Sequence, residues 1–76
     1  MDRDMIKRFL DENKIKYEEE HGRDGNEGRF ILKEYKKVRE INYYYNNCNI
    51  LVEDENNFVM YDCDRHLSKD FLEDYR

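Results

Sequence analysis

The chain has 76 residues, of which 43% are charged, and a formal net charge of −5. A chain of this length forms one small domain, residues 1–76, whose core leaves little room for an enclosed active site. Its seven tyrosines and four phenylalanines indicate a packed domain rather than a disordered chain. No apolar run approaches the roughly 20 residues of a membrane span, and the N-terminus lacks the apolar stretch of a secretory signal. We therefore expect an intracellular protein.

The first predicted element is a helix near the N-terminus. Apolar residues recur there at the spacing of one helical face: Met5, Ile6, Phe9 and Leu10. Asp2 and Asp4 lie where acidic side chains interact favourably with the start of a helix. The pattern predicts that this face is buried.

A β-hairpin is predicted next. The dipeptide Asp24-Gly25 is typical of two-residue type I′ turns, in which both central residues need a positive φ. That turn predicts two cross-strand pairs, Tyr17 opposite Leu32 and Glu19 opposite Phe30.

Residues 29–41 satisfy two patterns. Apolar side chains recur at helical spacing, with Asn26 as a candidate N-cap: Ile31, Tyr35, Val38 and Ile41. Against a helix, the run Phe30–Leu32 is rich in strand formers, and the preceding turn needs a partner strand. A strand is favoured, and a helix stays the alternative.

The stretch "NILVEDENNFVMYDC" predicts a second hairpin. A turn through Glu55-Asn56 would place Glu53 opposite Phe58 and Cys48 opposite Cys63, with Ile50, Val52, Val59 and Tyr61 facing the core. Ser68 is then a good N-cap for a short C-terminal helix. The predicted fold is α+β: an N-terminal helix, an antiparallel meander sheet of four to five strands and a short C-terminal helix, with the helices on one face of the sheet.

The residues that could carry chemistry do not form a recognisable catalytic or metal-binding motif. Cys48, Cys63, His66 and His21 are ligand types that zinc uses, but only Cys63 and His66 are closely spaced. An intracellular compartment would keep both cysteines as reduced thiols. We expect no metal, no cofactor and no enzymatic activity.

Basic residues precede a run of tyrosines in the middle of the chain. Lys33, Lys36, Lys37 and Arg39 form a local basic cluster, and "NYYYNN" follows it. Exposed aromatic side chains on a strand can stack nucleic-acid bases above a positive surface. Direct nucleic-acid binding by segment 33–45 is therefore the alternative function.

Acidic residues dominate the C-terminal half. Residues 43–76 carry eight acidic and three basic residues, whereas residues 1–42 carry eleven of each. Such runs are commonly solvated surface that keeps a protein soluble. Asp70 and Asp74, however, are one helical turn apart and repel each other by a few tenths of a kcal/mol. A chain with a small core that keeps this repulsion is expected to use the acids for binding.

A tiny acidic chain rich in Tyr and Asn, with this αβ meander, is similar in type to phage-encoded inhibitors of host nucleic-acid enzymes, which include anti-CRISPR proteins and DNA mimics. No shared motif carries the similarity. It rests on the acidic residues Glu53, Asp54, Glu55, Asp62, Asp64, Asp70, Glu73 and Asp74, beside Tyr43, Tyr44 and Tyr45.

The resemblance implies steric and electrostatic occlusion of a protein partner, without catalysis. The partner would be a nucleic-acid-processing enzyme or a nucleoprotein complex, contacted by those acids and tyrosines. Neither direct nucleic-acid binding nor membrane binding is expected. A homodimer that extends the sheet or buries the tyrosines would enlarge the small core.

Overall fold

A computed structural model describes residues 1–76, and its elements form an α+β arrangement, as predicted. Its elements are α1 (Arg3–Glu12), β1 (Tyr17–His21), β2 (Glu27–Leu32), β3 (Val38–Tyr44), β4 (Asn47–Asp54), β5 (Asn57–Asp62), α2 (Cys63–His66) and α3 (Lys69–Glu73). The five strands form one antiparallel sheet in sequential order, so the sheet is a meander with β1 and β5 at its edges. None of the three helices is long and apolar enough to cross a bilayer.

The hydrophobic core lies on one face of the sheet. Ile6 and Leu10 of α1 and Leu72 of α3 are fully buried, and they belong to one cluster with the strand residues Phe30 and Ile50. Because successive strand residues point to opposite faces, the alternate residues of each strand form a second face, which we call the outer face. The prediction that the helices cover one face is confirmed.

The caps of the main helices follow the sequence. The Asp2 carboxylate accepts a hydrogen bond from the Met5 backbone N–H at 3.0 Å, and the Ser68 hydroxyl accepts one from the Phe71 N–H at 3.1 Å. Met5 itself is 50% exposed, so the prediction that it is buried is wrong. A helix lying on a flat sheet buries a narrow stripe, and Ile6 with Leu10 already fills it.

The first hairpin has the predicted register but a different turn. Tyr17 pairs with Leu32 and Glu19 pairs with Phe30. Only Gly25 has a positive φ, of 73°, so the turn is not type I′. The Asp24 carboxylate instead accepts a hydrogen bond from the Asn26 N–H at 3.0 Å, which is the side-chain-to-backbone bond that Asp favours in turns. In the ambiguous segment 29–41, residues 29–32 belong to one strand and residues 38–41 to the next, while residues 33–37 connect them and no helix forms.

The last hairpin forms as predicted. Glu55 and Asn56 both have positive φ, of 51° and 89°, as a type I′ turn requires. Glu53 pairs with Phe58, and Asn49 pairs with Asp62. The inner face of β4 is consequently apolar and buried, and the acidic residues of the hairpin point outward or lie at its turn.

Cys48 and Cys63 form a disulfide bond, so the prediction of two free thiols is wrong. Their Cα atoms are 5.4 Å apart, which is within the range that a disulfide spans. The bond joins the first turn of α2 to β4. The two cysteines meet because of the predicted hairpin register. Asn49 pairs with Asp62, so the adjacent residues Cys48 and Cys63 lie opposite each other.

Reduction of this disulfide is expected to lower the free energy of unfolding by about 3 kcal/mol, because the bond closes a loop of 15 residues. Urea unfolding with and without dithiothreitol measures the effect, after the intact mass has shown the oxidised form. The Cys48→Ala/Cys63→Ala variant is the control, since its unfolding midpoint should not respond to the reductant. An oxidised protein whose midpoint is unchanged by reduction would contradict the prediction.

Candidate functional site

The predicted acidic residues lie along the β5 side of the molecule. β5 is an edge strand, α2 begins where it ends, and α3 packs on the inner side, with the rings of Phe71 and Tyr61 5.1 Å apart. The segment after α3 is held near the β4–β5 turn through Lys37. The Lys37 N–H donates a hydrogen bond to the Tyr75 carbonyl at 3.1 Å, and the Lys37 carbonyl accepts one from the Glu53 N–H at 2.7 Å. The turn acids and Asp62 therefore lie on the β4–β5 hairpin, and Asp70 and Asp74 belong to α3 and its C-cap, followed by a segment that is held near the same turn.

The two halves of the chain differ in the share of their carboxylates that have an ion-pair partner. Six of the eleven carboxylates in residues 1–42 have a basic partner within 4.0 Å, namely Asp4, Asp11, Glu18, Glu19, Glu20 and Glu40. In residues 43–76 only two of eight are paired: Asp64 with the N-terminal ammonium at 3.0 Å and Glu73 with Arg76 at 2.7 Å. The unpaired six, which we call the acidic flank, are Glu53, Asp54, Glu55, Asp62, Asp70 and Asp74.

The charge density of the acidic flank can be compared with that of a nucleic acid. The five steps of β5 from Asn57 to Asp62 cover roughly 17 Å at about 3.3 Å per residue. Of the six acids of the flank only Asp62 lies on β5, while Glu53, Asp54 and Glu55 lie at the turn and Asp70 and Asp74 belong to α3 and its C-cap. The charge density along β5 is therefore lower than that of the phosphates of one DNA strand, which are about 3.4 Å apart.

The three tyrosines do not share one environment. Tyr43 is only 2% exposed and lies opposite Cys48 on the inner face, so it is not a partner contact and that prediction is wrong. Side chains along a strand alternate between its two faces, so Tyr43 lies on the same face as Ile41, which is buried in the core. Tyr44 is 58% exposed, and its ring meets that of Tyr45 edge to face at 4.8 Å.

Tyr45 joins the β3–β4 turn to the loop of the first hairpin. Its hydroxyl donates to Asp24 at 3.0 Å, and its backbone N–H donates to the Asn26 carbonyl at 2.6 Å. Its φ is 55°, a backbone region that costs a bulky residue conformational energy. These two bonds hold the exposed ring in a fixed position.

A polar network beneath β1 holds Tyr43 in the core. The Arg3 guanidinium donates two hydrogen bonds to the Glu19 carboxylate, at 2.6 and 2.8 Å, and the Tyr43 hydroxyl donates a third at 2.6 Å. The hydrogen bonds from Arg3 hold the pKa of Glu19 below its usual value of 4.5. Burial, followed by the bond to Glu19, raises the pKa of Tyr43 to about 12. Sequence spacing alone did not reveal this link between α1, β1 and β3.

The basic residues and the tyrosines of the alternative function lie at opposite ends of β3. The strand starts at Val38 beside the basic cluster and ends at Tyr44, so the two groups are roughly 20 Å apart at 3.3 Å per residue. Lys33 is also paired with Glu18 at 2.9 Å. Within segment 33–45 the basic cluster and the exposed tyrosines therefore lie apart on the surface.

The cysteines and His66 are not arranged as metal ligands. The two sulfur atoms are bonded to each other, and the His66 ring packs against Tyr61 and Phe71 with centroid distances of 4.9 and 5.5 Å. A disulfide sulfur is not the thiolate that zinc binds. In this oxidised form His66 belongs to an aromatic cluster.

An exposed apolar patch on the outer face was missed in the sequence. Phe58 and Met60 of β5 are 59% and 55% exposed, and Leu51 lies directly opposite Met60. Together with the partly buried Ile31 we call these residues the outer-face patch. The alternation that puts Val59 and Tyr61 inside places their neighbours outside, so the signal was present. The patch and the acidic flank share strand β5.

The Arg3–Glu19 pair predicts a pH dependence of stability. Because the pKa of Glu19 is lower in the folded chain than in the unfolded one, the stabilisation is complete above pH 4.5 and is lost as the pH falls below it. Glu19→Gln should cost about 2 kcal/mol at neutral pH, the order of a charged hydrogen bond. The difference from the unsubstituted protein should shrink in acid, measured by urea unfolding at several pH values.

Glu20→Gln is the matched control, because Glu20 pairs with Arg29 on the exposed outer face. A surface pair contributes less than about 1 kcal/mol. A Glu19→Gln effect that stays constant from neutral to acid pH would refute the assignment.

The flank, the exposed tyrosines and the outer-face patch are thus surface features rather than an enclosed site. No protein-family model, curated protein or solved structure matches this chain.

Proposed function

We propose that this protein is a binding protein that occupies a basic, nucleic-acid-binding surface of a protein partner and blocks it without catalysis. The observation that carries the proposal is the acidic flank: six of the eight carboxylates of residues 43–76 have no ion-pair partner, against five of the eleven in residues 1–42. The resemblance in type to phage-encoded inhibitors, including anti-CRISPR proteins and DNA mimics, supports a nucleic-acid enzyme of a bacterial host as the partner.

The outer-face patch supports a protein rather than a nucleic acid as the ligand. Protein interfaces combine an apolar centre with a polar rim, and exposed apolar patches on small proteins commonly mark such interfaces. Phe58 and Met60 supply apolar contact area beside Asp62 on the same strand and face. A nucleic acid would instead meet a surface of its own charge sign.

The unpaired charges would act mainly on encounter and on specificity. Opposite potentials accelerate association and lose their effect as salt screens them, with a Debye length of about 8 Å at physiological ionic strength. The affinity would come from the apolar contacts that the encounter brings together. Strong salt dependence of the association rate is therefore expected.

The proposal places the protein in the cytoplasm of a bacterial host. Cytosolic reductants hold most cysteines there as thiols. Cys48 and Cys63 are bonded and only 4% and 2% exposed, so a reductant has little access to their disulfide.

Neutralising the acidic flank tests the proposal. Asp62→Asn/Asp70→Asn/Asp74→Asn removes three charges while keeping side-chain oxygen atoms that can cap a helix. The tagged protein is used to capture partners from a bacterial lysate at low and moderate salt. A partner of the proposed kind should be released by added duplex DNA, and the triple variant should bind it at least about tenfold more weakly.

Glu12→Gln/Glu27→Gln/Glu34→Gln is the matched control, since these exposed acids have no ion-pair partner and lie outside the flank. It changes the net charge equally and should retain the partner. Equal loss of partner binding in both variants would show that binding depends on the net charge of the protein and not on the position of the flank. Unchanged binding in the flank variant, or a shift of DNA by the protein alone in a low-salt gel, would reject the proposal.

A further inference from the structure

A groove opens on the outer face where β3 begins. Its floor is made by three apolar side chains, Ile31 of β2, Leu51 of β4 and Phe58 of β5, and its volume is about 500 Å³. The pairing of β3 with β4 shifts between Val38 and Glu40. Such a bulge leaves one residue out of the ladder and re-aims its side chain. Arg39 is that residue, and it lines the groove.

The charged side chains that line the groove are three cations and one carboxylate, that of Glu40, so cations are in excess there in a negatively charged protein. Arg29 is neutralised by Glu20 and Glu40, at 2.8 and 3.0 Å. Lys36 and Arg39 also line the groove, and neither has a carboxylate within 4.0 Å. The Arg39 guanidinium instead lies over the Phe58 ring, 5.5 Å from its centroid.

We propose that this bulge groove binds an anchor of the protein partner, a large apolar side chain with a carboxylate beside it. The inference rests on the proposed function, because it takes the partner to be a protein. The apolar floor matches the side chain, and the two unpaired cations match the carboxylate. A volume of 500 Å³ is in the range of clefts that hold small ligands.

The groove would add discrimination between partners, which the acidic flank alone does not provide. A flank of one sign attracts every basic surface, so it gives a fast encounter with little discrimination. A site of opposite sign on the same interface is satisfied only by a partner that places an acid there, and it disfavours a partner with a basic residue at that point. The two sites together define an orientation as well as a charge.

A nucleotide, with a phosphate next to a nucleobase, would present similar chemistry to the groove. A nucleic acid, however, would be repelled by Glu53, which pairs with Phe58, and by the neighbouring unpaired acids of the β4–β5 turn. The carboxylate anchor of a protein brings one negative charge rather than a chain of them. A protein anchor is therefore favoured over a nucleic acid.

The probe for this inference is N-acetyl-L-phenylalanine, which carries an aromatic ring and one carboxylate. It is titrated into the ¹⁵N-labelled full chain at millimolar concentrations, beside its neutral amide and thymidine 5′-monophosphate. We expect saturable amide shifts at Ile31, Leu51 and Phe58, and weaker binding of the neutral amide. Arg39→Gln should weaken binding of the carboxylate probe about threefold, as for one partly solvated charge pair.

Lys37→Gln is the matched control, because Lys37 lies two residues before Arg39 in the chain but does not line the groove. Absence of saturable shifts, equal binding of the neutral amide or an equal effect of Lys37→Gln would overturn the inference. Tighter binding of the nucleotide would overturn it in favour of nucleic acid. The flank variant Asp62→Asn/Asp70→Asn/Asp74→Asn should bind the probe normally, so failure of the groove and failure of the proposed function give different results.

Discussion

The register of the β4–β5 hairpin is the constraint on which the rest of this structure depends. Its turn residues Glu55 and Asn56 both adopt positive φ, as in a two-residue hairpin loop. A loop of this length and type fixes which residues of β4 and β5 pair. In that pairing Ile50 and Val52 fill the core. A slip by one residue would invert the strand, exposing those side chains and burying acids. Hydrophobic burial and turn geometry thus specify the same register.

The same register determines the chemistry of both faces. On the inner side it brings Cys48 to Cys63 and ties α2 to the sheet. On the outer side it sets Leu51 beside Met60 and leaves Phe58 exposed next to the turn acids. A single small hairpin therefore contributes to the core, the disulfide, the outer-face patch and the acidic flank. In a chain of 76 residues, each strand has to serve both faces because few elements are present.

The distribution of ion pairs gives the acidic half its distinct character. Arg3 and Arg29 each bridge two carboxylates from different elements, so four acids of α1, β1 and β3 have a cation beside them. The C-terminal half has only three basic residues, and Arg76 is committed to Glu73. The net charge of the molecule consequently appears as exposed, unpaired carboxylates on one side, beside apolar side chains. The bulge groove adds a small region of opposite sign on the adjoining outer face.

The sequence by itself determined the α+β class, the meander, both predicted hairpin registers and the Ser68 cap, because these follow from local periodicity and turn chemistry. It also located the acids of the flank, although it did not separate Asp64 and Glu73 as paired. Only the tertiary structure decided that Tyr43 is buried against Glu19, that the cysteines are bonded and that the bulge groove exists. Each of these joins residues far apart in the chain, such as Arg3 with Glu19 or Ile31 with Phe58. Their energies depend on distance and burial after folding, which no local pattern encodes.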